Sequence, residues 1–345
     1  MGNGKFSHKY KKMKQTFRNK DKKVKWRRNI TSKHQPTTNT NNTILDKDFK
    51  KLNCSPIVQG ETPVKDSCIP DDILIRIRNE YNKDHPNNQI LSTHLTDIWH
   101  ELKKRLNCKT EKCWLNELDN DVLERKLKQN LFAPEEPPEW KHNPDEWLSN
   151  YDIAAVLRQY SQSNKYKYFA FIEPTTIDFD DRPSDMDGNC VDNNLCEFKL
   201  DEYIKNKKSK IAVVFNLDKH NESGSHWVSL FIDLDEKFIM YFDSAGDDIK
   251  EEFEIFVNRV LKQAEELGII LEYDKKHVQH QRGNTECGMY SLYFIITLLT
   301  GETDRGVHLK GYKEKYNFFK NKKLRIPDKF VFDLRKKYFN SGGSQ

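Results

Sequence analysis

Apolar residues recur at helical spacing in the first third of the chain. Apolar side chains return every three or four residues after Pro70, and again after Asn87-Asn88. The positions are Ile73, Leu74, Ile77 and Tyr81 in the first segment, and Leu95, Ile98, Trp99, Leu102 and Leu106 in the second. This spacing places them on one face of a helix. A third segment runs from Trp114 to Leu131, so we expect a helical arm domain over residues 46–133.

The pattern changes after the prolines at positions 134–138, which cannot continue a helix and mark a boundary. Apolar runs of strand length lie at 211–215, 227–234, 238–242 and 269–273, and helical patterns cover 247–267 and 289–299. The strands on either side of residues 235–237 are close enough to form a hairpin. We therefore expect an α+β domain with a mixed sheet over residues 134–345.

The basic residues are concentrated at the N-terminus. Residues 1–30 hold twelve Lys or Arg and one Asp, and since the whole chain has a net charge of +5, the remainder is net −6. A Thr/Asn run follows at 37–43, so we expect a disordered tail over residues 1–45. Such a tail can contact nucleic acid, act as a nuclear import address, or only be a solvated arm.

Several classes of protein are excluded by composition. The chain has no apolar run of about 18 residues and no apolar segment after its basic start, so neither a membrane contact nor a secretory signal is expected. Seven scattered cysteines favour a reducing compartment with free thiols. For Cys54, Cys68, Cys108 and Cys113 we weighed a zinc site against buried thiols and favour the thiols. No metal and no cofactor is predicted.

Cys287 has the setting that a nucleophilic thiol needs. It lies directly before the apolar segment 289–299, and the positive end of a helix stabilises a thiolate. Gly288 has no side chain, so a substrate backbone can approach the sulfur closely. Taken alone, however, a cysteine in this position is most often a small buried apolar residue.

Three further polar residues complete a thiol-protease set. His226 begins one strand of the expected hairpin and Asp243 follows the other, so the two lie at the same end. The carboxylate can then orient the imidazole. The Gln281 side-chain amide, with the backbone N–H of Cys287, is a candidate donor to an oxyanion. Singly, each residue has an ordinary structural interpretation; together they favour catalysis.

The set resembles the ubiquitin-like-protein proteases, a clan that includes SUMO-specific proteases and the maturation proteases of adenoviruses and large DNA viruses. The resemblance rests on His226-Trp227, Asp243-Ser244, Gln281 and Cys287-Gly288. It implies a papain-like core and a triad in the order His, Asp, Cys. It also implies that Trp147, from a Trp-Leu motif, and Trp227 flank a narrow channel for a Gly-Gly main chain. For Trp147 a place in the core is a competing interpretation.

Two positions depart from the SUMO branch, which usually has Asp where this chain has Asn150 and Glu286. The helical arm is closer to the extended viral members. The resemblance therefore implies a viral endopeptidase that matures structural polyproteins after Gly-Gly sites, in the virion and host cytoplasm. The alternatives are a deconjugase of ubiquitin or a ubiquitin-like protein, and an inactive binding module anchored to nucleic acid by residues 1–30.

Overall fold

The computed structural model describes residues 49–60, 62 and 64–341, and these belong to one compact unit. The tail predicted for residues 1–45, with its nucleic-acid contact, lies outside them. Within the described ranges no helix combines the length and the apolar character that crossing a bilayer requires. The predicted domain boundary near residue 134 stays a prediction.

The N-terminal helices are α1 (Asp71–Asp84), α2 (Leu95–Arg105), the short α3 (Glu111–Trp114) and α4 (Asp121–Leu131). Their inward faces form an apolar cluster of their own, which includes Leu74, Ile77, Tyr81, Ile98 and Leu102. The segment expected as one helix from Trp114 to Leu131 is divided. Asn120 accepts a hydrogen bond from the backbone N–H of Leu123 at 2.8 Å and so starts α4 as a separate helix.

A five-stranded sheet lies at the centre of the remaining chain. Its strands are β1 (Phe169–Thr176), β2 (Lys210–Asn216), β3 (Trp227–Asp233), β4 (Phe238–Phe242) and β5 (Glu272–Tyr273), in that spatial order. The β1–β2 and β4–β5 pairs are parallel, and β2, β3 and β4 pair antiparallel. The expected mixed α+β sheet is confirmed.

Helices cover both faces of the sheet. The first face packs α5 (Asn150–Gln162), α9 (Cys287–Thr300) and α10 (Tyr312–Lys320), together with α11 (Asp328–Asp333) and α12 (Arg335–Tyr338). The second packs the short helices α6 (Asn193–Cys196) and α7 (Leu200–Lys205), and α8 (Glu251–Glu266). Successive residues of β2 and β4 alternate between the two clusters, as the period of a strand requires.

Two strands differ from the expectation. β1 was not predicted, because Pro174 and the partly exposed positions of Phe169–Thr176 obscure the alternation that marks a strand. The strand expected at 269–273 pairs only over its last two residues. Gly268 adopts a positive φ of 75° after α8, and Ile269 is still hydrogen-bonded back to Ala264, so the chain reaches the sheet late.

The cysteines correct the prediction of free thiols. Six of the seven form the disulfides Cys54–Cys68, Cys108–Cys113 and Cys190–Cys196, and Cys287 is the free one. The partners are only 14, 5 and 6 residues apart, so local turns bring them together. For the four N-terminal cysteines this outcome differs from both interpretations offered, because spacing alone does not fix which thiols pair.

Candidate active site

Cys287 is the first residue of α9 and is buried against the first face of the sheet. Its backbone N–H belongs to the first turn, where no carbonyl of the same helix can accept it. The rest of α9 is buried almost throughout, so its start is held firmly in the core. Cys287 lies close enough to the imidazole of His226 to raise its pKa, which brings together the first two predicted residues.

His226 and Asp243 meet across the β3–β4 hairpin. The register pairs Ser229 with Phe242, so Asp243 lies two residues out of line with His226 rather than directly opposite it. The side chains cover this offset, and Nε2 of His226 lies 2.7 Å from Oδ1 of Asp243. The same oxygen accepts the backbone N–H of Ala245 at 2.8 Å. Because Nε2 is engaged, Nδ1 is the imidazole nitrogen left for the thiol.

The loop before β3 is closed by Asn216. Its Oδ1 accepts the backbone N–H groups of Asp218 at 3.0 Å and Ser225 at 3.2 Å. The loop therefore returns to the sheet beside the end of β2, which is where His226 enters β3. A side-chain contact of this kind fixes the backbone of a catalytic loop without touching the reacting atoms.

The electrostatics of this group favour a protonated imidazole. Burial by itself lowers the pKa of His226, but the hydrogen bonds and negative charges of Asp243 and Cys287 outweigh it and raise the pKa from 6.5 to about 10. The ring is therefore a cation at neutral pH, aligned between a carboxylate and a sulfur. An imidazolium in this position stabilises a neighbouring thiolate.

Gln281 is fixed by the turn that follows Asp243. Its Oε1 accepts the hydroxyl of Ser244 at 2.7 Å, and its Nε2 donates to the carbonyl of Gly283 at 3.0 Å. The backbone N–H of Gln281 also donates to the Ser244 carbonyl at 2.8 Å. Since a side-chain amide has two N–H bonds, one remains to stabilise an oxyanion. The predicted Gln281 thus shares one hydrogen-bonded unit with the Asp243 turn.

The three residues predicted for the glycine channel differ in burial and in their contacts. Nε1 of Trp227 donates to the carbonyl of Leu148 at 2.9 Å, so the indole is buried beside the Trp-Leu motif. A Cβ added at Gly288 would lie 3.1 Å from Leu148 and 3.3 Å from Trp227. Trp147 is 39% exposed and does not belong to the core. Trp227 and Gly288 therefore meet at the nucleophile, and Trp147 adjoins them through Leu148.

Sequence reasoning missed three contributors: Leu148, Ser244 and Arg335. Leu148 packs on Gly288 and Ser244 orients Gln281, as described above. Arg335 binds Glu286, the residue before Cys287, through two hydrogen bonds of 3.0 and 2.7 Å. Leu148 and Ser244 directly follow Trp147 and Asp243, which the sequence analysis singles out. Their positions next to these residues could have indicated a role in the site. For Arg335, which is 49 residues from Glu286, the sequence offers none.

The segment that carries these residues matches a known family. The model of the Ulp1 protease family, C-terminal catalytic domain, matches residues 198–327, a range that includes His226, Asp243, Gln281 and Cys287. Residues 198–327 are therefore similar to the catalytic domain of this protease family. Trp147 and Leu148 lie before the matched range. The roles assigned to individual residues in the peptidase domain stay predictions.

Named relatives come from large DNA viruses. The putative thiol protease R355 of Acanthamoeba polyphaga mimivirus is 31% identical over 199 residues, which are 56% of this chain and 60% of that protein. A cysteine protease of African swine fever virus is 28% identical over 62% of this chain and 81% of its own length. A relative from another isolate of that virus is named a SUMO-1 cysteine protease. It is 27% identical over 62% of this chain and 81% of its own length.

One solved structure extends the likeness beyond the peptidase domain. The crystal structure of an African swine fever virus protease aligns with a TM-score of 0.55, covering 87% of this chain and all of that chain. At 20% identity this likeness concerns the fold alone. It agrees with an α+β peptidase core preceded by helices.

Proposed function

We propose that this protein is an active cysteine endopeptidase that cleaves after Gly-Gly sites and matures viral structural polyproteins, in the virion and the host cytoplasm. One observation carries the proposal. A free thiol at the start of a buried helix raises the pKa of an imidazole, and that imidazole lies 2.7 Å from a carboxylate. This is the arrangement that nucleophilic catalysis by cysteine requires.

Each group has a defined task in the proposed reaction. His226 holds the proton of Cys287, and the thiolate attacks the scissile carbonyl carbon to form a C–S bond. The developing oxyanion is held by the Gln281 amide and the backbone N–H of Cys287. His226 then gives its proton to the leaving amine as the C–N bond breaks. Water, deprotonated by His226, then attacks the thioester carbonyl carbon; a C–O bond forms, the C–S bond breaks, and the acid product leaves the imidazolium–thiolate pair behind.

The surroundings of Gly288 support a preference for glycine. Leu148 and Trp227 would lie within 3.4 Å of a Cβ at Gly288, so space beside the nucleophile is narrow. Glycine residues in the substrate, directly before the scissile bond, reduce the volume that must fit between these side chains. A substrate with Ala directly before the scissile bond adds a methyl group there, and tightly packed protein surroundings do not accept extra atoms without strain.

The first experiment measures hydrolysis of fluorogenic peptides with Gly-Gly or Gly-Ala before the reporter amine. We expect turnover of the Gly-Gly peptide, at least about tenfold slower turnover of the Gly-Ala peptide, and a loss of more than about a thousandfold in Cys287→Ala. The matched control is Ser291→Ala, one turn further along α9, where the hydroxyl is buried and has no hydrogen-bond partner among the described residues.

The outcomes separate the candidate functions. Equal turnover in Cys287→Ala would assign the hydrolysis to a contaminant, and equal use of both peptides would contradict the glycine channel. The name of the SUMO-1 cysteine protease relative favours a second candidate, a deconjugase. Cleavage of a full-length SUMO precursor without cleavage of a viral polyprotein segment would support that candidate. An unreactive thiol and no hydrolysis of any substrate would support the inactive binding module.

A further inference from the structure

Arg335 occupies a buried position at the start of α12. Its Nε and Nη2 donate to the two carboxylate oxygens of Glu286, at 3.0 and 2.7 Å. Its Nη1 donates to the carbonyls of Pro144 at 2.7 Å and Glu146 at 3.1 Å. The guanidinium also lies 4.2 Å from the ring centroid of Trp140. One side chain therefore contacts both Glu286 and the segment 140–146, which are remote from each other in sequence.

Both segments lead directly into the candidate site. Glu286 is the residue before Cys287 and occupies the cap position of α9. Glu146 is followed by Trp147 and Leu148, and Leu148 faces Gly288. Arg335 thus connects the start of the nucleophile helix with the wall beside it. The planar guanidinium suits this task because its donors point in fixed directions, whereas a lysine ammonium cannot reproduce them.

The contact between Arg335 and Glu286 also pairs two opposite charges. A carboxylate next to the nucleophile disfavours a thiolate there, unless a positive charge offsets it. Burial raises the pKa of Glu286, while the hydrogen bonds and charge of Arg335 act in the opposite direction. The other groups that act on Glu286 are Thr285, through a hydrogen bond, and the negative charge of Asp145.

We propose that Arg335 is a positioning residue for the peptidase: it orients Glu286 and the carbonyls of Pro144 and Glu146, and so holds the start of α9 and Leu148 in the positions in which they meet at Gly288. Its charge also compensates the carboxylate of Glu286, the residue that precedes Cys287. The inference rests on the proposed function, since it concerns the reactivity of the same nucleophile. His226 and Asp243 supply the other charges of the site, as already described.

The test combines Arg335→Met, Arg335→Lys, Glu286→Gln and the double variant Arg335→Met/Glu286→Gln. The rate of Cys287 alkylation by iodoacetamide is measured from pH 4 to 10, alongside kcat and KM for the Gly-Gly and Gly-Ala peptides. In Arg335→Met we expect the alkylation midpoint to move up by about one pH unit. We expect kcat to fall about tenfold, with a smaller change in KM. Arg335→Lys should recover only part of the loss.

The double variant distinguishes positioning and charge compensation from simple support of the fold. Removing the carboxylate together with the guanidinium should return the alkylation midpoint to within a few tenths of a pH unit of the parent. The matched control is Arg259→Met, because Arg259 also binds a carboxylate with two nitrogens, that of Asp180, and α8 lies on the opposite face of the sheet. That variant should leave the midpoint unchanged.

These measurements test the role of Arg335 separately from the proposed endopeptidase function. An unchanged midpoint and an unchanged Gly-Gly preference in folded Arg335→Met would overturn the inference, even if the melting temperature fell. If Arg335→Met does not fold, the same criterion applies to Arg335→Lys and Glu286→Gln. Thiol alkylation needs no substrate. A parent protein with a reactive, Arg335-dependent thiol that cleaves no peptide would therefore contradict the endopeptidase proposal alone.

Discussion

At the scale of single residues, His226 carries the property that most directly controls the proposed chemistry. Its imidazole is a cation at neutral pH only because Asp243 and Cys287 outweigh the effect of burial. The folded-state pKa, about 10, lies above the unfolded value of 6.5. Its contribution to stability is therefore complete below pH 6.5, and it disappears as the pH rises through about 10.

Replacing Asp243 by Asn should lower the alkaline limit of activity. The substitution removes the charge that favours imidazolium, so we expect the alkaline midpoint of kcat/KM to fall from near 10 by about 1–3 pH units. The measurement is a pH–rate profile with a Gly-Gly peptide, supported by NMR titration of the imidazole. An alkaline midpoint that stays near 10 in Asp243→Asn would refute the assignment of Asp243 as the charge partner.

The control for this prediction is a second His–Asp pair nearby. His220 lies in the loop that precedes β3, and its Nδ1 is 2.7 Å from Oδ2 of Asp178, which follows β1. Asp178→Asn removes a comparable carboxylate outside the triad, so it should leave the alkaline midpoint in place. If both substitutions moved the midpoint equally, the effect would arise from the general charge of the region rather than from Asp243.

The candidate catalytic residues could be named from sequence, but their supports could not. The order and spacing of His226, Asp243, Gln281 and Cys287 along predicted strand and helix ends were enough to group them. The hydrogen bond from Ser244 to Gln281 spans 37 residues and depends on how two loops pack. No local periodicity encodes a contact of that kind, so only the folded structure shows it.

At the scale of elements, the hairpin and the buried helix explain why the site forms. β3 and β4 are buried along their whole length, and their alternation fixes which side chains face α9. The sequence predicted both strands and the helix within about one or two residues, because their apolar patterns are continuous. An imperfect match between His226 and Asp243 follows from their distances to the turn, but its size of two residues depends on the strand register, which the apolar pattern does not give.

Gly288→Ala tests how closely the wall of the channel approaches α9. Alanine favours a helix by about 1 kcal/mol over glycine, so stability alone would rise. The added Cβ, however, would lie 3.1 Å from Leu148 and 3.3 Å from Trp227, which must both move. We expect kcat/KM for the Gly-Gly peptide to fall about tenfold, with little change in the midpoint of thermal unfolding. Full activity in Gly288→Ala would mean that this wall is not part of the substrate path.

At the scale of the whole molecule, a residue near the C-terminus holds the helical segment against the core. Asn340 is buried, and its Oδ1 accepts the backbone N–H of Asn53 at 2.7 Å. Its Nδ2 donates to the carbonyls of Asn53 and Ala133, each at 3.0 Å. These bonds join residues 287 and 207 positions apart, a separation at which hydrophobic periodicity cannot reveal a contact. One amide side chain therefore connects the first and last parts of the described chain.

Asn340→Leu should weaken this connection by a measurable amount. Leucine has a similar volume but removes the partners of the Asn53 N–H and the Ala133 carbonyl, whereas the Asn53 carbonyl keeps the Ala133 N–H. Each unsatisfied group costs about 1–3 kcal/mol, so we expect a loss of roughly 2 kcal/mol or more in the free energy of unfolding. Urea unfolding, followed by fluorescence, gives this value. Asn206→Leu is the control, because Asn206 is exposed and makes one hydrogen bond at the end of α7.

The shape of the Asn340→Leu transition tests the predicted boundary near residue 134 as well. The helices before this point have their own apolar cluster, which can persist once the amide no longer joins them to the core. We therefore expect the single transition of the parent to split, with peptidase activity lost in the first step. A single transition with an unchanged midpoint would show that Asn340 is dispensable for stability. A single transition with a lowered midpoint would show that the two regions unfold as one cooperative unit despite their separate clusters.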